Sequence, residues 1–147
     1  MQLPKAFLFS LLLPTLVVIP ACSVGANPQE TSAAPTKLAP KVSEAMLKRG
    51  KMLFVDCQIC HALKRGQDHR VGPNLFGFYQ RRAASAKGFG YSEALKAADI
   101  TWDREHIDDY LANPGGKVPG TSMDFAGVAK VADRNALIEY LKIETQP

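Results

Sequence analysis

Cys57-Gln58-Ile59-Cys60-His61 decides how this chain is read. Two thiols three positions apart, followed at once by an imidazole, form a C-x-x-C-H run. In an exported protein that run reads as the attachment site of a c-type haem, each thiol bonded to one vinyl group. His61 then supplies the first axial ligand from the same segment, and the second must come from elsewhere in the chain. Two other chemistries use part of this pattern. A bare C-x-x-C can be a redox dithiol, or half of a zinc site completed by a further Cys or His pair. The chain holds three cysteines, and neither a second C-x-x-C nor a spaced pair of histidines follows. A thioredoxin-like dithiol opens a helix after a strand of a βαβ unit, and no strand alternation precedes Leu53 to Asp56.

Upstream, residues 1–26 read as an export signal. Lys5 precedes an apolar run, Ala6 to Ile19, that Pro14 breaks and that is too short to span a bilayer comfortably. Two exits are open. One is cleavage after Ala26 in Val24-Gly25-Ala26. The other ends the leader at residue 21, before Cys22, in Ile19-Pro20-Ala21-Cys22, which resembles a bacterial lipoprotein box with Pro20 and Ile19 as departures. Cys22 is otherwise an exported cysteine without a partner, and an acyl chain on it would anchor the protein. The alternative is that it leaves with the leader. Residues 27–40, NPQETSAAPTKLAP, have no apolar periodicity and read as a flexible tether. The expected location is the periplasm, with membrane anchoring if Cys22 is lipidated.

The folded domain is expected over residues 41–147, in a chain of 147 residues with 22% charged and 46% hydrophobic residues. The net charge of +4 is mild and the basic residues form no run, which excludes a nucleic-acid binder. Ser43 is placed to cap a helix that carries Ala45, Met46, Leu47, Met52, Leu53 and Val55 and leads into Cys57. Gly50 inside it costs about 1 kcal/mol relative to Ala, so a close approach by another element is expected there, from the last helix. Asp133 is read as the cap of that last helix, with Ala136, Leu137, Tyr140 and Leu141 on one face. Two further helices are expected, Tyr91 to Ala98 and Asp103 to Leu111. Thr101 or Asp103 caps the second, and Asn113-Pro114-Gly115-Gly116 ends it. Strand alternation is nowhere sustained, so the fold class is all-α.

Two segments bear on the iron. Pro73, in Gly72-Pro73-Asn74-Leu75, offers a free carbonyl in a turn, which could take the Nδ1 proton of His61 and fix which nitrogen faces the metal. Met123 lies in Pro119-Gly120-Thr121-Ser122-Met123-Asp124-Phe125-Ala126-Gly127, a loop stiffened by proline and freed by glycine. Of the other three methionines, one is in the leader and two are in the first helix.

From Gly50 to Leu141 the chain resembles a class I cytochrome c, of the bacterial kind akin to the mitochondrial carrier. The likeness rests on the C-x-x-C-H run, Gly72-Pro73-Asn74-Leu75, Tyr91, Ile100-Thr101-Trp102, Tyr110-Leu111 with Asn113-Pro114, the Pro119 to Gly127 loop, and Leu137 with Tyr140. It implies a small fold in which N- and C-terminal helices cross beside one covalently attached haem c. It implies further that Cys57 and Cys60 form the thioethers, that His61 and Met123 ligate iron, and that Pro73 orients His61. Arg81, Tyr91 and Trp102 match residues that hold a propionate, and Tyr110 and Thr121 match residues around the methionine. Gly50 and Phe54 would meet Leu137 and Tyr140 at the helix crossing. His69 matches a structural histidine bonded to a loop, whereas His106 is expected to be solvated on its helix.

The chain departs from the family at several places. Leu95 stands where an asparagine is common near the buried water, and Gly115, Gly116 and Ser122 replace lysines of the docking face. Asp56 adds a negative charge, so strong steering toward an acidic partner is not expected.

The implied function is one-electron transfer between periplasmic or membrane-bound redox complexes, such as a quinol-cytochrome c reductase and a terminal oxidase, by a monomer. Iron ligated on both sides has no position for substrate, so no enzymatic activity is expected. The competing functions are a haem peroxidase or gas sensor with a labile Met123, or an electron-transfer subunit dedicated to one dehydrogenase or oxidase.

Overall fold

The computed structural model describes residues 42–147. The leader with its two exits, Cys22, the tether and Lys41 lie outside the described residues. Five helices make up the regular structure among the described residues: α1 (Glu44–Leu53), α2 (Glu93–Ala97), α3 (Arg104–Ala112), α4 (Pro114–Lys117) and α5 (Val131–Glu144). The single β-bridge among the described residues, Arg82 with Thr101, belongs to no strand. The fold is all-α.

α1 starts where the sequence says it should. Ser43 is extended, and its hydroxyl accepts the Met46 N–H at 3.2 Å. Ser92 and Asp103 cap α2 and α3 in the same way, through the N–H groups of Leu95 and His106. The Asn113 to Gly116 stretch, expected only to stop a helix, also starts one. Asn113 accepts from Gly116 N–H at 3.0 Å, and Pro114 at the first position of α4 needs no donor there.

One expected cap is corrected. α5 begins two residues before Asp133, behind Lys130, with no side-chain cap. Asp133 is drawn off by Arg49 on α1, whose Nε and Nη2 donate to it at 2.8 and 2.9 Å. That guanidinium holds the Asp133 carboxyl below its ordinary range. A long-range ion pair therefore takes the side chain that local patterning assigned to the helix end.

α1 and α5 cross at Gly50. A Cβ there would run into the Ala136 carbonyl and lie 2.5 Å from Tyr140 Cβ, so only glycine permits this approach. Phe54 follows one turn later, its ring 5.8 Å from that of Tyr140. Below the crossing the core gathers Phe54, Leu63, Phe78, Ile107, Leu111, Leu137, Ile138 and Leu141. Leu137 and Ile138 are wholly inaccessible, and side chains of this kind contribute about 1.5–3 kcal/mol each on burial. Met52 and Val55 of the first apolar pattern point outward instead.

The long segment between α1 and α2 has little regular structure and is held by buried polar side chains. Asn74 donates to Lys64 O at 2.9 Å and Gln67 O at 2.7 Å, and accepts from Phe76 N–H at 2.8 Å. Its own N–H goes to His69 Nδ1 at 2.9 Å, and His69 Nε2 donates to Lys87 O at 2.9 Å. His69 thus joins two loops, as expected. His106 lies partly in solvent on α3, as expected, with Nδ1 also 2.9 Å from Asp103 Oδ1 at the helix start.

Candidate functional site

Past Leu53 the chain continues in tight turns that keep nearly helical bonding. Cys57 and Gln58 N–H both reach Phe54 O at 2.9 Å, and Cys60 and His61 N–H reach Cys57 O at 3.1 and 2.9 Å. This places Cys57, Cys60 and His61 on one wall of a cavity of about 260 Å³. Both thiols are free and half-buried. Burial, with Asp56 and Cys60 as lesser causes, pushes the Cys57 thiol up to about 11, so at neutral pH it stays protonated.

His61 is fixed from both sides. Its Nδ1 donates to the Pro73 carbonyl at 2.7 Å, and a Cβ on Gly72 would stand 2.8 Å from Nδ1 and 2.9 Å from Nε2. Gly72 is therefore part of the site: the ring needs the space its missing side chain leaves. Nothing in one sequence marks Gly72 for that role, because the close approach exists only after the turn has folded. Burial lowers the His61 pKa and outweighs the opposing bond to Pro73. The ring is kept neutral, with the Nε2 lone pair available to a metal.

The loop that carries Met123 also lines this cavity. Thr121 Oγ1 accepts from Met123 N–H at 3.3 Å and lies 2.7 Å from the hydroxyl of the buried Tyr110. At its far end Val128 N–H bonds to Leu111 O at 2.7 Å. Arg134 then closes the segment: Nη1 donates to Val128 O and Ala129 O at 3.0 and 2.9 Å, while Nε and Nη2 take Asp108 at 2.8 and 3.2 Å. Arg134 is only 8% exposed. The sequence reading missed it because an arginine in a helix ordinarily faces water.

Leu75, Phe78, Ile107, Leu111 and Leu141 give the cavity an apolar floor, with Trp102 and Tyr110 packed 5.1 Å apart and Tyr91 against Phe89 at 4.7 Å. Burial raises the Tyr91 and Tyr110 hydroxyls above their ordinary values. Leu95 also lines the cavity. Arg81 enters it with Nη1 on Phe76 O at 3.1 Å, while its buried Nε finds no partner among the described residues. A buried, unpartnered guanidinium N–H is costly unless an anion meets it. The ten residues singled out from sequence, Cys57, Cys60, His61, Pro73, Arg81, Tyr91, Trp102, Tyr110, Thr121 and Met123, all line this one cavity. An apolar slot with two thiols, a neutral imidazole, a thioether and an orphan cationic donor suits a planar apolar group that carries a metal and carboxylates.

The family model for Cytochrome c matches residues 47–143. This chain belongs to the cytochrome c family. Cytochrome c of Stellaria longipes is 41% identical over 104 residues, covering 70% of this chain and 96% of its own length. Cytochrome c of Chlamydomonas reinhardtii is 43% identical over 100 residues, 67% of this chain and 89% of its own. Among solved structures, cytochrome cH from Methylobacterium extorquens superposes with a TM-score of 0.62 at 36% identity, over 66% of this chain and 97% of that one. As a class I cytochrome c, the protein carries one covalently attached haem c and serves as a monohaem electron carrier for redox partners.

Proposed function

We propose that this cytochrome c shuttles single electrons in the periplasm, between a quinol-oxidising complex and a terminal oxidase, with His61 and Met123 as its axial ligands. The bound haem supplies a one-electron ferric/ferrous couple. Cys57 and Cys60 would hold the group by thioether bonds; Pro73 orients His61, and Thr121 bonds to the backbone N–H of Met123. Arg81, with Tyr91 and Trp102, would receive a propionate. The observation that carries this reading is that a tautomer-fixed His61 and Met123 line one apolar cavity. His61 and Met123 would both ligate the iron when haem is bound, which would leave no coordination site for peroxide or a gas. The test is the absorption of the ferric holoprotein, which should show the weak red charge-transfer band of sulfur-ligated low-spin haem. A high-spin spectrum refutes the assignment.

Thr121 offers a graded check. Thr121→Val leaves the buried Tyr110 hydroxyl without its partner and frees Met123 N–H, at a cost of about 1–3 kcal/mol. The guanidinium midpoint of the holoprotein should fall, and the red band should be lost at a less alkaline pH than in the parent. An unchanged midpoint would show that the Tyr110 to Met123 chain of bonds holds nothing.

For location, the reading is a lipid anchor on Cys22 with residues 27–40 as tether, supported by the Ile19-Pro20-Ala21-Cys22 run. Cys22→Ser should move the protein from the membrane fraction to the soluble periplasmic fraction. A parent protein already soluble there removes the anchor.

A further inference from the structure

Among the residues lining the cavity, four are exposed: Asp56, Val71, Ser122 and Asp124. They mark where the site opens to solvent. Val71 is 81% exposed, and beside it Ile59 is 72% exposed. Gly72 N–H bonds to Cys60 O at 2.9 Å, which brings their two segments side by side. Two large aliphatic side chains so fully in water add nothing to the core and leave an apolar patch at the mouth of a redox site.

The exposed charged residues that line the cavity are both carboxylates, and one exposed cation, Arg70, stands at the edge of the patch. The carboxylates are Asp56 and Asp124, and neither is in an ion pair among the described residues. Arg81, the cavity's one lining cation among the described residues, lies inside. Arg70, next to Val71, turns its guanidinium back onto the Gln58 carbonyl. We propose that the redox partner docks here with an apolar centre flanked by lysines or arginines, its cations meeting Asp56 and Asp124. This rests on the cavity being the electron-exchange site proposed above. The whole chain's charge of +4 acts in the opposite sense. It is spread over the surface, however, and at about 0.1 M salt screening confines each charge to roughly 10 Å, so the mouth's own carboxylates govern close approach.

The test uses the ferrous holoprotein and two one-electron oxidants of opposite charge, tris(phenanthroline)cobalt(III) and hexacyanoferrate(III), by stopped flow across ionic strength. The cationic probe should slow as salt rises and the anionic probe should quicken. Asp56→Lys with Asp124→Lys should invert both trends and slow the cationic probe about fivefold at low salt, a modest share of the range that steering commands. Both variants are surface changes, and an unaltered holoprotein spectrum certifies the fold. Rates that fall with salt for hexacyanoferrate in the parent, or a double variant indistinguishable from it, overturn the proposal while leaving the carrier function intact. Failure of the ferrous protein to reduce either probe refutes the carrier function itself. Binding of the parent to neutral phosphatidylcholine vesicles that Val71→Ser abolishes also overturns it, since the patch would then serve a membrane.

Discussion

Met123→Ala abolishes the red charge-transfer band of the ferric holoprotein and lowers its reduction potential by on the order of 0.2 V, a fraction of the ~0.8 V that axial ligation commands. The effect is large because a thioether, a soft neutral donor, favours ferrous over ferric iron and raises the potential when paired with histidine. The side chains closest in sequence are a serine hydroxyl and the Asp124 carboxylate, which is exposed, and a hard oxygen donor would favour the ferric state. The fold should survive, because Arg134 and Tyr110 hold the loop from outside the Met123 side chain. Spectra and a redox titration on the same sample check both parts. A variant that keeps the band and the potential excludes Met123 as the ligand.

Gly50→Ala should destabilise the holoprotein by about 2 kcal/mol. Two effects oppose one another. Alanine gains about 1 kcal/mol of helix propensity over glycine. Against this, the new methyl overlaps the Ala136 carbonyl and Tyr140 Cβ, atoms fixed to the α5 backbone that no rotamer change can move. Overpacking of that kind costs about 3 kcal/mol or more at its upper end, so the overlap wins. For a domain of this size the net loss is a fall in Tm of roughly 8–16 °C, read by thermal melting at matched haem content. A Tm equal to or above the parent's would show that α1 and α5 separate without penalty.

The ion pair between Arg49 and Asp133 lies beside the same crossing and shows the limit of local reasoning. Ser43, Ser92 and Asp103 behave as caps because their partners are three residues away in the chain. Asp133 does not, because its partner is 84 positions away. The same division holds at the site. Attachment chemistry was legible because Cys57, Cys60 and His61 are adjacent. Met123 was singled out because Met46 and Met52 fall in the first helix and Met1 was read as part of a leader. Gly72 and Arg134 were silent, since each matters through an approach made only in the folded state.

By itself, then, the sequence determined the all-α class, the C-x-x-C-H segment and the methionine loop that line one cavity, and the glycine at the helix crossing. Each is set by residue type and short-range spacing, and such signals survive in a one-dimensional string. The tertiary structure alone decided that Gly72 leaves the His61 ring its space and that Arg81 Nε, unpartnered among the described residues, is brought into the cavity. It also decided that Arg134 locks the end of the Met123 loop, and that two exposed carboxylates and Val71 line the mouth. These depend on groups distant in sequence meeting at a few ångströms, where excluded volume and unpaired hydrogen-bonding capacity, rather than propensity, set the outcome.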